Sequence, residues 1–261
     1  MDFTSFVDQD ITARRKSIVE LLEKQGKVKV SELSRLFHIS EVTIRNDLTE
    51  LENEGLLDRV HGGAVSTNKA YYTMGFNERA AQYVPEKQQI AKAAVSFINP
   101  NDTIMINSGT TTFNIAKELR QFKGLTVVTN SLAIAQELSA LPGFNVILLG
   151  GNYNPQYQFT YGEDAIQQLR RYKTDKLFLS ADGVDSICGL TTHHYQEADV
   201  SRAMLERVNQ TIIVADYSKI GRENFANIAP IDCVDKLITN ETADKEVLDV
   251  LRDKGVEIIT V

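Results

Sequence analysis

The sequence predicts an α/β protein in two parts: an N-terminal winged helix-turn-helix unit, then a larger, doubly wound and largely parallel α/β domain. Three observations predict it. Apolar residues recur at helical spacing three times before Gly55. From Pro85 onward, short runs rich in β-branched residues alternate with helical stretches. The length of 261 residues, at roughly 100 to 200 per domain, leaves room for two cores.

The first helical run carries Ile11, Ile18, Leu21 and Leu22 and stops at Gln25-Gly26. The second carries Val30, Leu33, Leu36 and Phe37 and stops at His38. The third carries Val42, Ile44, Leu48 and Leu51 and stops at Gly55. Ser31 with Ser34 makes a poor capping box. Ser40 is better placed, its hydroxyl capping the third helix and Glu41 and Thr43 following in the first turn. Leu56-Leu57-Asp58-Arg59-Val60 and Gly62-Gly63 then read as a short hairpin, the wing. This unit spans 11–66, with the helix-turn-helix over 28–47. Residues 67–84 are the expected linker, although Tyr71, Tyr72 and Tyr83 point to packing somewhere.

The second domain is expected over 85–261. Strands are predicted over 103–106, 125–129, 146–149, 176–179, 211–215, 236–239 and 257–259. Helices are predicted over 113–119, 132–138, 165–170, 198–208 and 245–253. Strands apolar on both faces, alternating with helices, imply a parallel sheet covered on both sides. No internal repeat or low-complexity segment is present.

Composition narrows the classes. With 43% hydrophobic and 24% charged residues the chain is neither disordered nor a small disulfide scaffold. It has no apolar run long enough to span a bilayer and no secretory leader in MDFTSFVDQD, so the expectation is a cytoplasmic protein. Cys188 and Cys233 are expected to pack in the core. The net charge of −7 argues, taken alone, against a nucleic-acid partner, and residues 1–65 do not reverse it, with nine basic against twelve acidic residues.

Residue types argue the other way. In a helix-turn-helix the second helix enters the major groove. Here Ile44, Leu48 and Leu51 face inward, while Glu41, Thr43, Arg45 and Asn46 project at least partly outward. Arg can pair with guanine and Asn with adenine. Arg14, Arg15 and Lys16 open the first helix, and Arg59 and His61 lie at the wing, where phosphate contacts belong. An ordinary solvated three-helix bundle is the alternative.

In the second domain the turns after successive predicted strands are polar: Asn107-Ser108-Gly109-Thr110-Thr111-Thr112, Thr129-Asn130-Ser131, Gly150-Gly151, Ala181-Asp182-Gly183-Val184-Asp185 and Asp216-Tyr217-Ser218-Lys219. All fall at the carboxyl edge of the sheet, where ligands bind in such folds. A hydroxyl-rich loop opening a helix suits a phosphate, and acids, an amide and a lysine suit a polyhydroxy compound. Asp182 and Asp216 as simple caps are the alternative. Gly150-Gly151 lacks dinucleotide spacing. His193-His194 has no further ligands at metal spacing.

The run from Ser40 to Leu48, with Leu51, Gly55, Leu57, Arg59, Val60 and His61-Gly62-Gly63-Ala64, resembles the winged helix of the DeoR family of bacterial transcription regulators. Ser108-Gly109-Thr110-Thr111, Asp182-Gly183-Val184-Asp185, Gly189-Leu190-Thr191-Thr192, Glu197-Ala198 and Asp216-Tyr217-Ser218-Lys219 resemble the sensor domain of the same family, itself similar to ribose-5-phosphate isomerase. The resemblance covers the chain from about Ile11 to Val261. It implies a repressor of a carbohydrate (sugar, amino-sugar or hexitol) catabolic operon, released from double-stranded operator DNA by a phosphorylated sugar. Tyr161-Gly162 and Val234-Asp235-Lys236 are similar to regulators of hexosamine and hexitol catabolism.

DNA contacts are then expected from Arg14, Arg15, Ser40, Glu41, Thr43, Arg45, Asn46, Arg59 and His61. Effector contacts are expected from Asn107, Ser108, Gly109, Thr110, Thr111, Asn130, Gly151, Asp182, Gly183, Glu197 and Lys219, with no catalytic residue, metal or cofactor. Asn46 stands where many relatives have a second Arg, and Asn107 where many have Asp. Operator symmetry predicts a homodimer or homotetramer with recognition helices about 34 Å apart or a multiple of that. A sugar-phosphate isomerase-like enzyme is the alternative, with Asp182, Glu197 and Lys219 as base candidates.

Overall fold

The computed structural model describes residues 12–22, 27–53, 56–60, 62–66 and 74–261. Expectations that fall on Ile11, Gly55, His61, Tyr71 and Tyr72 lie outside the described residues. The chain divides into two compact units between Gly75 and Phe76.

In the smaller unit the three predicted helices form over residues 12–22 (α1), Val30–Phe37 (α2) and Glu41–Asn53 (α3). Their apolar stripes meet in one core of Ile18, Leu22, Val30, Leu33, Ile44, Leu48 and Leu51, closed by Val28, Leu57 and Ala64. Each such side chain, fully buried, contributes about 1.5–3 kcal/mol. His38 ends α2 in the left-handed region at φ 55°. The Ser34 hydroxyl donates to the Ile39 carbonyl at 2.6 Å. The turn is thus tied at both ends, because the Ser40 hydroxyl accepts from the Thr43 amide at 3.1 Å, capping α3 as expected.

The wing forms from Leu57–Val60 (β2) and Gly63–Ser66 (β3), paired antiparallel. A strand not anticipated, Lys27–Lys29 (β1), adds to β3. Gly63 permits that: a Cβ there would stand 2.1 Å from the Val28 carbonyl oxygen.

The larger unit begins earlier than the sequence suggested. The second half of the expected 67–84 linker belongs to it, as Phe76–Ala80 (α4). The reason is burial: Phe76 is in the core and sits edge-on to Phe113, ring centroids 5.4 Å apart. Val84–Val95 (α5) follows, with Pro85 in its first turn. Tyr83 packs edge-on to Tyr217, so at least this tyrosine of the linker packs as anticipated.

All seven predicted strands form one sheet: Thr103–Ile106 (β4), Thr126–Thr129 (β5), Asn145–Leu148 (β6), Thr174–Leu179 (β9), Val208–Val214 (β12), Lys236–Thr239 (β14) and Glu257–Thr260 (β15). Between β6 and β9 a small hairpin intervenes, Asn152–Asn154 (β7) with Phe159–Tyr161 (β8). The sheet order is β15-β14-β12-β9-β4-β5-β6, every pair parallel. Alternate residues serve opposite faces. Ile104, Ile106, Val127, Phe178, Ile212 and Val214 pack on one side with α5, Thr110–Glu118 (α6) and Leu132–Ser139 (α7). Met105, Val128, Leu177, Leu179 and Ile213 pack on the other with Glu163–Leu169 (α8), Tyr195–Leu205 (α9) and Lys245–Asp253 (α10).

Three departures have local causes. Helix α9 ends at Leu205, not near residue 208, because β12 extends backwards to pair Val208 with Thr174. Gly183–Asp185 (β10), read as part of a turn, and Gly189–Thr192 (β11), not anticipated as a strand, form with Ala226–Ala229 (β13) an antiparallel sheet of three short strands. Cys188 and Cys233 are half-buried; Cys233 packs against the larger core and donates to the Pro230 carbonyl, while Cys188 is not part of that core.

Strands β4, β5 and β6 succeed one another in one direction across the sheet, and β9, β12, β14 and β15 in the other. The reversal lies between β4 and β9. In an open α/β sheet the carboxyl ends of such a strand pair frame the ligand crevice.

Candidate functional site

Two surfaces gather the chemistry. On α3 the buried face holds Ile44, Asp47, Leu48 and Leu51, which leaves Glu41, Val42, Arg45 and Asn46 exposed side by side. Arg45 pairs with Glu41 one turn earlier at 2.6 Å. Thr43 is half-buried and its hydroxyl lies 2.8 Å from that of Ser40, so both belong to the helix cap. Arg59 reaches back from the wing, its Nη1 donating to the Thr49 hydroxyl at 2.7 Å and its amide to Glu52 at 2.9 Å. It therefore lies along the exposed side of α3.

Arg14 and Arg15 take a different place from the one their sequence position suggested. Both donate to the buried carboxylate of Asp47, at 2.7 and 3.1 Å, and so tie α1 to α3. Asp47 carried no such signal in the sequence, since an acid on a helix usually faces solvent. Val42, 63% exposed beside Arg45, was also missed; an apolar side chain there suits a thymine methyl group. His61 lies outside the described residues.

The second surface is the crevice between β4 and β9. The amide of Asn107 spans it, accepting from the Ser180 amide at 2.8 Å and donating to the Ser180 carbonyl at 3.0 Å. Asn107 thus clips the two strands together, with both amide atoms engaged on the backbone. Gly109 follows because there is no room for more: a Cβ would stand 2.0 Å from the Ser180 hydroxyl. It opens α6 with no side-chain cap, so the first-turn amides at Thr110 and Thr111, both buried, form the positive end of the helix dipole.

Around this turn the polar residues converge. The Ser108 amide donates to Asn130 Oδ1 at 2.9 Å, and its hydroxyl to Glu197 Oε1 at 2.8 Å. The Thr192 hydroxyl lies 3.0 Å from Asp182 Oδ2 and 3.3 Å from Glu197 Oε2, and the His193 amide also donates to Asp182. Lys219 is nearly buried and close enough to act on Asp182. Gly183 is buried in β10. Gly151 is exposed at the turn before β7, against the Tyr161 carbonyl. Of the predicted effector residues, the structure brings Ser108, Asn130, Asp182, Glu197 and Lys219 into one network at the start of α6.

Three members of that network were not foreseen. Arg79, on α4, places Nη1 3.7 Å from Asp182 Oδ1 and its guanidinium 5.3 Å from the centre of the Tyr157 ring. The Tyr157 ring in turn lies 4.1 Å from that of His194, whose Nε2 is buried with no hydrogen-bond partner. None of the three sits at a predicted strand end.

Burial and charge set the protonation states. Burial, then the neighbouring Asp182 charge, pushes the Glu197 carboxyl up to about 7 against the pull of Arg79, Ser108 and Thr192. Burial also opposes the charge on Asp182. Arg79, Lys219 and the donors at His193 and Thr192 outweigh it and hold that carboxyl below the usual range. Burial, then His193, lowers His194 to about 4, so near neutrality its imidazole is uncharged. The crevice therefore pairs one carboxylate with two cations beside a carboxyl poised to hold a proton.

Comparison with known proteins decides the family. The DeoR-like helix-turn-helix domain matches residues 14–70 and the DeoR C-terminal sensor domain matches residues 82–241. The chain belongs to the DeoR family. It is 32% identical over 247 residues to the glycerol-3-phosphate regulon repressor of Escherichia coli K12, spanning 95% of this chain and 98% of that one. It is 30% identical over 246 residues to the transcriptional repressor GlcR of Bacillus subtilis 168, spanning 94% and 95%. This DeoR-family chain is accordingly a DNA-binding transcriptional regulator and not a metabolic enzyme. A more distant likeness is to ribose 5-phosphate isomerase A of Methanocaldococcus jannaschii, with 16% identity, a TM-score of 0.38 and 51% of this chain and 52% of that chain covered. Among the described residues no helix is long and apolar enough to cross a membrane, and no cluster of His, Cys, Asp or Glu is placed to hold a metal ion.

Proposed function

We propose that the chain represses a carbohydrate catabolic operon and leaves its operator when a phosphorylated sugar occupies the β4/β9 crevice. One observation carries this reading. The uncapped first turn of α6 opens beside a network of Ser108, Asn130, Asp182, Glu197, Arg79 and Lys219, which joins an anion site to groups suited to hydroxyls. The phosphate sits against Thr110 and Thr111, and the sugar hydroxyls face Asp182, Glu197 and Asn130. Asn107 and Gly109 hold the loop shape. Glu41, Val42, Arg45 and Asn46 read bases, Arg59 meets phosphate, and Arg14, Arg15 and Ser40 hold α3 in position.

Release requires the sugar phosphate to bind the operator-free arrangement of the protein more tightly than the operator-bound one. A homodimer or homotetramer supplies the paired recognition helices that a symmetric operator needs. The test is a thermal-shift screen of the full chain against triose, pentose, hexose and amino-sugar phosphates and inorganic phosphate, followed by operator mobility shifts. At least one sugar phosphate is expected to raise the melting temperature and weaken operator binding, because a ligand selective for the folded state stabilises it. Intact operator binding with no response to any of them would overturn the effector reading.

A further inference from the structure

Helix α4 is five residues long and begins at the first residue after the division between the two units. Its anchors all lie in the larger unit. The Phe76 amide donates to the Gln156 carbonyl at 2.8 Å, next to Tyr157, and the Phe76 ring packs on Phe113 of α6. At its other end Lys87, fully buried, donates through Nζ to the carbonyls of Arg79 and Gln82 at 2.8 and 2.7 Å. Between these anchors Arg79 turns inward. Its side chain is 7% exposed, facing Asp182 on one side and the Tyr157 ring on the other.

The 3.7 Å separation of Arg79 and Asp182 is an ion pair of loose geometry, longer than a charge-assisted hydrogen bond. Asp182 has further donors in Thr192 and the His193 amide, and a second cation in Lys219. Asp182 can therefore part from Arg79 and stay compensated. A guanidinium, planar and forked, binds a phosphate or carboxylate through two parallel N–H donors where a carboxylate held at arm's length takes one.

From this placement we propose that Arg79 is the coupling residue of the sensor: it exchanges Asp182 for the anionic group of the bound sugar phosphate, and the exchange repositions α4, the segment through which the chain leaves the DNA-binding unit. The proposal rests on the reading of the crevice as a sugar-phosphate site. It assigns to the 67–84 stretch, which reads in sequence as a spacer, the residue that reports occupancy.

The test uses the full chain as wild type, Arg79→Gln and Arg79→Lys, with folding checked by circular dichroism. The probes are glycerol 3-phosphate, ribose 5-phosphate, glucose 6-phosphate and glucosamine 6-phosphate. Whichever of them raises the wild-type melting temperature is expected to bind Arg79→Gln at least roughly tenfold more weakly, the scale of a lost charge-assisted contact. Arg79→Lys, which keeps the charge and loses the fork, falls between. Operator binding by each protein without sugar phosphate is measured first and serves as the reference against which its release is scored.

A purely structural Arg79 would leave one readout unmoved. Amide exchange over residues 76–82 is expected to change on adding the sugar phosphate to wild type and to stay constant in Arg79→Gln. If the wild type responds and Arg79→Gln binds and releases operator equally well, the coupling role is wrong and the sensor reading stands. If Arg79→Gln does not fold, Arg79→Lys decides: behaviour identical to wild type in affinity, exchange and release overturns the proposal. If the wild type responds to none of these or to any other sugar phosphate, both readings fall together.

Discussion

Arg45 and Arg79 each face a carboxylate, and the difference between them separates the two units of this chain. The Arg45–Glu41 pair lies one helical turn apart on an open surface, its side chains 51% and 46% exposed. Such a pair is worth a few tenths of a kcal/mol and is screened by salt. It breaks at little cost, so Arg45 is available to a base edge. The Arg79–Asp182 pair is 7% and 12% exposed. Parting them costs more than breaking the exposed pair, because both side chains lie largely out of water. On the proposed reading, Arg79 exchanges this partner for a ligand that brings its own negative charge. The same pairing of residue types is a loose, solvent-screened contact in one unit and a buried contact in the other.

Asp47 sharpens the comparison, because it places a buried carboxylate inside the unit that otherwise works by exposed groups. Its two arginine partners join α1 to the recognition helix. Replacing Asp47 by Ala strands both guanidinium groups beside an apolar core and is expected to destabilise the smaller unit by about 3 kcal/mol, the largest single effect predicted here. Chemical denaturation followed by a probe in that unit measures it, and operator binding should fall as the helix loses its bracing. A loss under about 1 kcal/mol would show that the ion pairs of the smaller unit are all surface-like.

Glu197 breaks the comparison from the other side, as a buried acid that stays protonated where its neighbour does not. Its carboxyl is raised to about 7, so the folded protein binds that proton more tightly than the unfolded chain does. The associated stability is present at pH 4.5 and lost as pH rises through 7. His194, lowered to about 4, runs the opposite way: its contribution is present above 6.5 and lost as pH falls through 4. Between those limits the two oppose each other. Glu197→Gln removes one of them, so the variant should gain on wild type by about 2–3 kcal/mol near pH 8 and by nothing near pH 4.5. Urea denaturation at the two pH values checks this. A difference independent of pH would mean that the Glu197 carboxyl titrates alike in the folded and unfolded chain.

How far these features were legible in the sequence follows the same division. The helices of the smaller unit and the seven strands of the sheet announce themselves through periodicity, because each buries a repeating face against its neighbours. The loop at Ser108 to Thr111 is legible for a related reason, since strand ends and helix starts are local events. Arg79, Tyr157 and His194 are not. Each is a single polar residue whose partner is distant in sequence, Asp182 standing over a hundred residues from Arg79. Nothing within a helical turn of Arg79 distinguishes it from a solvated arginine. Asp47 and β1 were hidden in the same way: a three-residue strand and a lone acid acquire their meaning only when α1 and the wing close over them. Asn107 stands out in the sequence only as a departure from the Asp of many relatives, whereas its amide holds β4 against β9.

Arg45 gives the smallest stability effect and the most discriminating one. Arg45→Ala removes the exposed pair with Glu41 and should change the unfolding free energy by about 0.3–0.5 kcal/mol. Operator affinity should fall further, by about 1–3 kcal/mol, if the side chain reads a base, and the loss should be larger for the specific operator than for random DNA. A phosphate contact would instead weaken both DNAs alike and reduce the salt dependence of binding. Competitive mobility shifts with operator and random duplex at two salt concentrations separate these outcomes. An equal loss on both DNAs would move Arg45 from base reading to backbone positioning and leave Val42 and Asn46 to carry the sequence preference of α3.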